Sequence, residues 1–248
     1  MHSQRKAWAV MLAAYLAGIA IALNQSKVPP AMQVLLQSLH MDMATGGWLM
    51  SAFAVAGIVL GIPAAFVLAK LGPKVSGLIA IGCTLLGSIV GALASGAAML
   101  LGGRAIEGIG LGLITVIAPA VISMWFPPQK RGTPMGIWAS WIPVGSFIMY
   151  NLAGPLLGSF GWQGIWWFGA LFALMGFVTY AVTVSAPYLL SRSLPSTVYA
   201  AQAMTARITR KSPKRTPSSK RPPRRMTATP ANEATMPMTL KRVIFSRR

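Results

Sequence analysis

The sequence predicts an all-α membrane protein with six transmembrane helices, on three observations. About six long apolar segments lie between Ala7 and Ser185. Most run ~18–25 residues, the helix length that crosses ~30 Å of hydrocarbon. Hydrophobic residues make up 54% of the chain and charged residues only 10%, too few to cover most of it with a water-soluble surface.

The first span, Ala7–Asn24, follows Arg5 and Lys6 as a secretory signal would. It is longer than a signal's apolar region and further spans follow, so it is expected to stay as the first helix. Gln25–Thr45 is then the longest connection; after Pro29-Pro30, the apolar stretch Ala31 to Leu39 reads as a structured loop or a short surface helix. The second and third spans, Trp48–Leu68 and Val75–Gly96, meet at Leu71-Gly72-Pro73. Ser95-Gly96 leads into the fourth, Ala97–Phe126, which Pro127-Pro128 ends. The fifth, Met135–Leu157, and the sixth, Gln163–Ser185, are separated by Ser159-Phe160-Gly161.

Charge divides the chain at residue 185. Residues 1–185 hold 8 Lys/Arg and 2 acids, for +6; residues 186–248 hold 14 and 1, for +13. The domains expected are thus a six-helix transmembrane unit, 1–185, and a basic disordered cytoplasmic tail, 186–248, rich in Arg, Lys, Pro, Ser and Thr. Tyr188, Tyr199 and Phe245 are the tail's only aromatics, too few for base-stacking platforms, so anionic lipid rather than nucleic acid is its expected partner. Arg5, Lys6, Lys70, Lys74, Lys130 and Arg131 all fall on one side of the six-span topology, leaving only Lys27 in the outside loops. The positive-inside rule then puts both termini in the cytoplasm, and a bacterial inner membrane is the expected location.

Arg104 carries the strongest functional signal. It lies inside the fourth span, with Glu107 three residues on and able to meet it on one helix face. A charge within a span costs ~2.5–3.5 kcal/mol on insertion scales, so such residues face a cavity, a partner or an ion path. Mutual neutralisation within the bundle is the plainer alternative. Around them GGRAIEGIGLGL, Gly102 to Leu113, sets Gly108 and Gly112 as a small-residue stripe that admits a close helix. With one cysteine, Cys83, and two isolated histidines, His2 and His40, the chain offers neither a metal cluster nor a nucleophile–base pair. GIGLG without a preceding strand fails as a dinucleotide motif. Neither an enzyme nor a cofactor is expected.

These residues resemble the major facilitator superfamily of secondary transporters over roughly residues 5–190. Arg104 with Gly108, Gly110 and Gly112 is similar to the fourth-helix motif of that family, Glu107 standing where glutamine is common. WFPPQKRGTPMG, Trp125 to Gly136, resembles the passage from helix four to five. NLAGPLLG, Asn151 to Gly158, resembles the helix-five motif through Gly154, Pro155 and Gly158, with Tyr150 and Ser159 in place of glycines. Gly161-Trp162 and Trp166-Trp167-Phe168 resemble the start of helix six. Between helices two and three, Lys70, Gly72 and Lys74 fit the family's gating loop, while Ala69 replaces its aspartate and Ala65 its glycine. The Pro29-Pro30 loop leans towards the cyanate/nitrate-porter-like branch.

The resemblance implies half of a major facilitator fold, two inverted three-helix repeats, with helices one and four at a midplane cavity. Tyr15, Asn24, Arg104 and Glu107 are then the candidates for the solute or proton pathway, although Tyr15 and Asn24 suit interfacial positions equally well. It further implies a small-solute transporter, the solute being an anion or not, completed by a second copy or a separate carboxyl-terminal half. Two alternatives stand beside it. One is an inactive remnant, with a truncated or frame-shifted ending beyond Ala186. The other is a non-transporting membrane protein whose basic tail binds lipid or a partner.

Overall fold

The computed structural model describes residues 2–184, so the expectation for 186–248 lies outside the described residues. Every regular element among them is helical: α1 (His2–Gln25), α2 (Val28–Ser38), α3 (Met43–Ala92), α4 (Ala97–Trp125), α5 (Gly132–Ala139) and α6 (Trp141–Thr183), with a single 3-10 turn at Pro128–Lys130. Four segments are long and apolar enough to cross a membrane: 4–38, 43–92, 97–125 and 132–183.

Two of the four are too long for one crossing. α3 has 50 residues, about 75 Å of straight helix against ~30 Å of hydrocarbon. It breaks at Gly72 (φ 75°, ψ 170°), and α6 breaks in the same way at Gly161 (φ 66°, ψ −169°). Both angles lie in the region where a Cβ is strained, so glycine is required at both corners. Pro73 then opens the second limb of α3, where its missing N–H costs nothing. The Ser76 hydroxyl donates back across the corner to the Val67 carbonyl (3.2 Å).

α1 packs chiefly on α6, while α3 and α4 form the most extensive helix pair. Glycines bring α4 against both limbs of α3. A Cβ on Gly103 would stand 2.8 Å from the Gly87 carbonyl of the second limb, whereas Gly108 and Gly112 abut the Phe53 and Gly57 carbonyls of the first. The apolar surface faces outward, as at Ile58, Ile62, Phe147 and Phe160. That arrangement suits lipid as the surrounding medium.

Local readings are adjusted in two places. The stretch after Pro29 is a helix, α2, seated on the bundle by Val28, Ala31 and Leu35. The fifth expected span, Met135–Leu157, is interrupted at Ser140, whose hydroxyl turns back to the Ile137 carbonyl (2.8 Å) and accepts the Tyr15 phenol (2.6 Å). Asp42 caps α3, its Oδ1 accepting the Thr45 N–H at 2.9 Å. Hydrogen bonding from Thr45 holds that carboxyl below its ordinary range.

Candidate functional site

Beneath α2, the bundle encloses a polar compartment. Asn24, Lys27, Ser88, Arg104 and Glu107 are each at most 1% exposed and bonded to one another. They come from the end of α1, the following turn, the second limb of α3 and the second and third turns of α4.

Arg104 reaches three chain segments. Its Nη1 donates to Glu107 Oε2 (2.5 Å) and to the Asn24 carbonyl (2.8 Å), its Nε to the Leu49 carbonyl (3.1 Å), and its Nη2 to the Gln25 carbonyl (3.4 Å). Asn24 and Gln25 are the last residues of α1, whose carbonyls lack helical partners and carry the negative end of the helix dipole. The guanidinium therefore caps α1 as well as pairing Glu107. It also lies 4.3 Å over the Phe53 ring.

Lys27 completes the site. Its Nζ donates to Asn24 Oδ1 (2.9 Å), to Ser88 Oγ (3.1 Å) and to Glu107 Oε1, with which it is ion-paired. Those three acceptors use all three ammonium hydrogens. The Trp166 ring lies 4.7 Å from the same nitrogen. Ser88 has one hydroxyl proton for two acceptors, Asn24 Oδ1 and Glu107 Oε1, each 2.7 Å away. The Asn24 amide donates to the Ala20 (2.8 Å) and Gly169 (3.1 Å) carbonyls and so ties α1 to α6. With all three groups ionised the compartment carries two cations and one carboxylate, a net +1 without water contact. The cations are satisfied within the compartment, and the Ser88 hydroxyl and Glu107 carboxylate lie within proton-sharing distance.

Of the sequence candidates, Arg104, Glu107 and Asn24 come together here. Tyr15 does not: it lies about 13.5 Å earlier along α1 and bonds Ser140 instead. Lys27, expected as an outside-loop charge, is instead fully buried. Its spacing of three residues from Asn24 was the available signal; Ser88, Phe53 and Trp166 had none. In the candidate gating loop, Gly72 is the corner itself, Lys70 lies 4.5 Å over the Phe66 ring, and Lys74 is half-buried. Gly154, Pro155 and Gly158 are exposed, and a Cβ on either glycine would meet no described atom within 4 Å.

Comparison with known proteins bears on what such a bundle is for. The profile described as Major Facilitator Superfamily matches residues 14–244. The chain is 30% identical over 179 residues to the uncharacterized MFS-type transporter Rv1250 of Mycobacterium tuberculosis, covering 72% of this chain and 30% of that one. It is 26% identical over 176 residues to the lincomycin resistance protein LmrB of Bacillus subtilis, covering 71% and 36%. In structure it is similar to the D-xylose-proton symporter, with a TM-score of 0.63 at 17% identity, covering 81% of this chain and 53% of the symporter. The chain thus spans about a third of the length of these curated relatives. A profile matched along most of the sequence, on a bundle of membrane-length apolar helices, makes this chain an integral membrane protein of the major facilitator superfamily of transporters.

Proposed function

We propose that the chain is the amino-terminal six-helix half of a secondary transporter that moves a small anionic solute by alternating access. The observation that carries this reading is the Arg104–Glu107–Lys27 compartment, whose excess positive charge is buried where a purely structural bundle would need none. Arg104 attracts the anion, while Glu107 pairs with Arg104 or exchanges a proton. The relatives' names span lincomycin resistance and D-xylose-proton symport, so the anion rests on the compartment's charge and not on them. It agrees with the cyanate/nitrate-porter-like branch suggested by Pro29-Pro30.

Counting α3 and α6 as two limbs each makes six crossings. Gly72 then separates the second and third, and Gly161 the fifth and sixth. Left-handed glycine corners at corresponding places support two three-helix repeats. The open faces at Gly154 and Gly158 suit a second half or second copy. The cations near the Gly72 end favour a cytoplasmic position for that end and for both termini.

Proteoliposomes containing the chain assembled with the carboxyl-terminal half or second copy that completes it, loaded for counterflow, would be offered nitrate, cyanate, a sugar acid and a neutral sugar. Saturable exchange of an anion that falls more than about tenfold in Arg104→Lys is expected, because lysine loses the planar five-donor fork. Exchange of the neutral sugar alone, or equal rates in both proteins, would refute the reading.

A further inference from the structure

The Gly72 end of the bundle holds a cavity of about 670 Å³ between the start of α1 and the connection from α4 to α5. That volume lies in the ~300–1,000 Å³ range of small-molecule sites. Its walls combine two chemistries. Trp8 and Trp125 form an aromatic side, and Gln4, Gln129, Lys130 and Thr133 bring a cation with hydrogen-bonding groups. Trp8 is held edge-on to Phe126, with ring centroids 5.5 Å apart.

The charges around it are one-sided. Arg5, Lys6, Lys70, Lys74, Lys130 and Arg131 flank the segments that meet at this end, where Ala7, Trp8, Val67, Leu68 and Phe126 pack in one cluster. Among the described residues the carboxylates are elsewhere, Asp42 at the α2 end and Glu107 in the closed compartment. The α4 carboxyl terminus, whose dipole would repel an anion, is neutralised: Arg131 donates through Nε to the Phe126 carbonyl (2.7 Å) and through Nη2 to the Ser123 carbonyl (2.6 Å). Arg131 is occupied by that cap, whereas Lys130 beside it is exposed and has no such bond.

We propose that this cavity seats the headgroup of one anionic phospholipid, its phosphate at Lys130, its polar headgroup on Gln4, Gln129 and Thr133, and its glycerol backbone against Trp8 and Trp125. Tryptophan suits that depth because its ring is apolar and its N–H polar, and basic pockets between helix ends at this level bind anionic headgroups. The assignment rests on this end facing one leaflet of the bilayer and is independent of the solute carried.

The test uses the purified 248-residue chain in neutral phosphatidylcholine nanodiscs, with phosphatidylglycerol titrated in and bound lipid counted by native mass spectrometry. One phosphatidylglycerol should be retained in preference to phosphatidylcholine. Lys130→Gln should weaken its retention about fivefold, from ~1 kcal/mol per cation near the surface. Lys70→Gln, which removes a cation of the same end outside the cavity, should leave it unchanged. Trp8→Phe should lower it while keeping the ring packed on Phe126. Equal loss in Lys70→Gln and Lys130→Gln would mean diffuse attraction and overturn the site. So would equal retention of the two lipids, or displacement of the lipid by inorganic phosphate alone.

Discussion

Lys27 and Glu107 stand 80 positions apart in the chain and form an ion pair from which solvent is excluded on both sides. Glu107 is shared, with Arg104 on its other oxygen. Among the described residues this carboxylate is the one anion holding the two buried cations together, and the order of mutational damage follows from charge alone.

Lys27→Met leaves one cation opposite one carboxylate, whereas Glu107→Gln leaves two cations with no counter-charge. Breaking a buried pair costs roughly 3–5 kcal/mol when the remaining charge is uncompensated. Thermal unfolding in detergent should therefore rank Glu107→Gln well below Lys27→Met, with the double variant above Glu107→Gln. The opposite ranking would show that the excess charge does not govern the compartment.

Tyr180 braces the Gly72 corner. Its phenol donates to the Pro73 carbonyl at 2.9 Å, and its ring fills the notch left by the missing side chain of Gly77. Tyr180→Phe keeps the ring and should cost about 0.5–1.5 kcal/mol. In a Cys83→Ser background it should also speed labelling of a cysteine at Lys74 while leaving one at Lys130 unaffected. Gly77→Val evicts the ring and should be worse than Tyr180→Phe on both counts.

Gly72 and Gly161 should tolerate alanine equally badly, since both have positive φ. A Cβ with positive φ and ψ near 180° costs roughly 1–3 kcal/mol. Gly47, an exposed helical glycine with nothing near its Cβ position, is the control and should gain slightly as alanine. Melting temperatures of the three variants decide it.

Asp42 makes the start of α3 sensitive to acid. Its carboxyl is held low in the folded state by the Thr45 hydrogen bond. Its contribution is therefore complete above the unfolded pKa and is lost as pH falls through the lower folded value. Asp42→Asn keeps an acceptor without a titrating proton. Protection factors of the first-turn amides of α3 should fall below about pH 4 in the parent and stay flat in the variant.

The membrane-length helices were legible because run length and hydrocarbon thickness are properties of single segments, as the fourth, from Ala97, shows. Arg104 with Glu107 was legible too, since three residues of helix set their spacing before any packing occurs. The glycine stripe announced close contact but not its partners. Gly108 and Gly112 turn to one limb of α3 and Gly103 to the other, a division set by where the chain folds at Gly72. Lys27 was read as a loop charge, because its three-residue spacing from Asn24 can bring those two side chains together but cannot distinguish water from a buried carboxylate. Only the tertiary structure decided that pairing: Glu107, Ser88 and Asn24 reach Lys27 from three separate helices, and a lone ammonium is stable in the interior only once all three acceptors surround it.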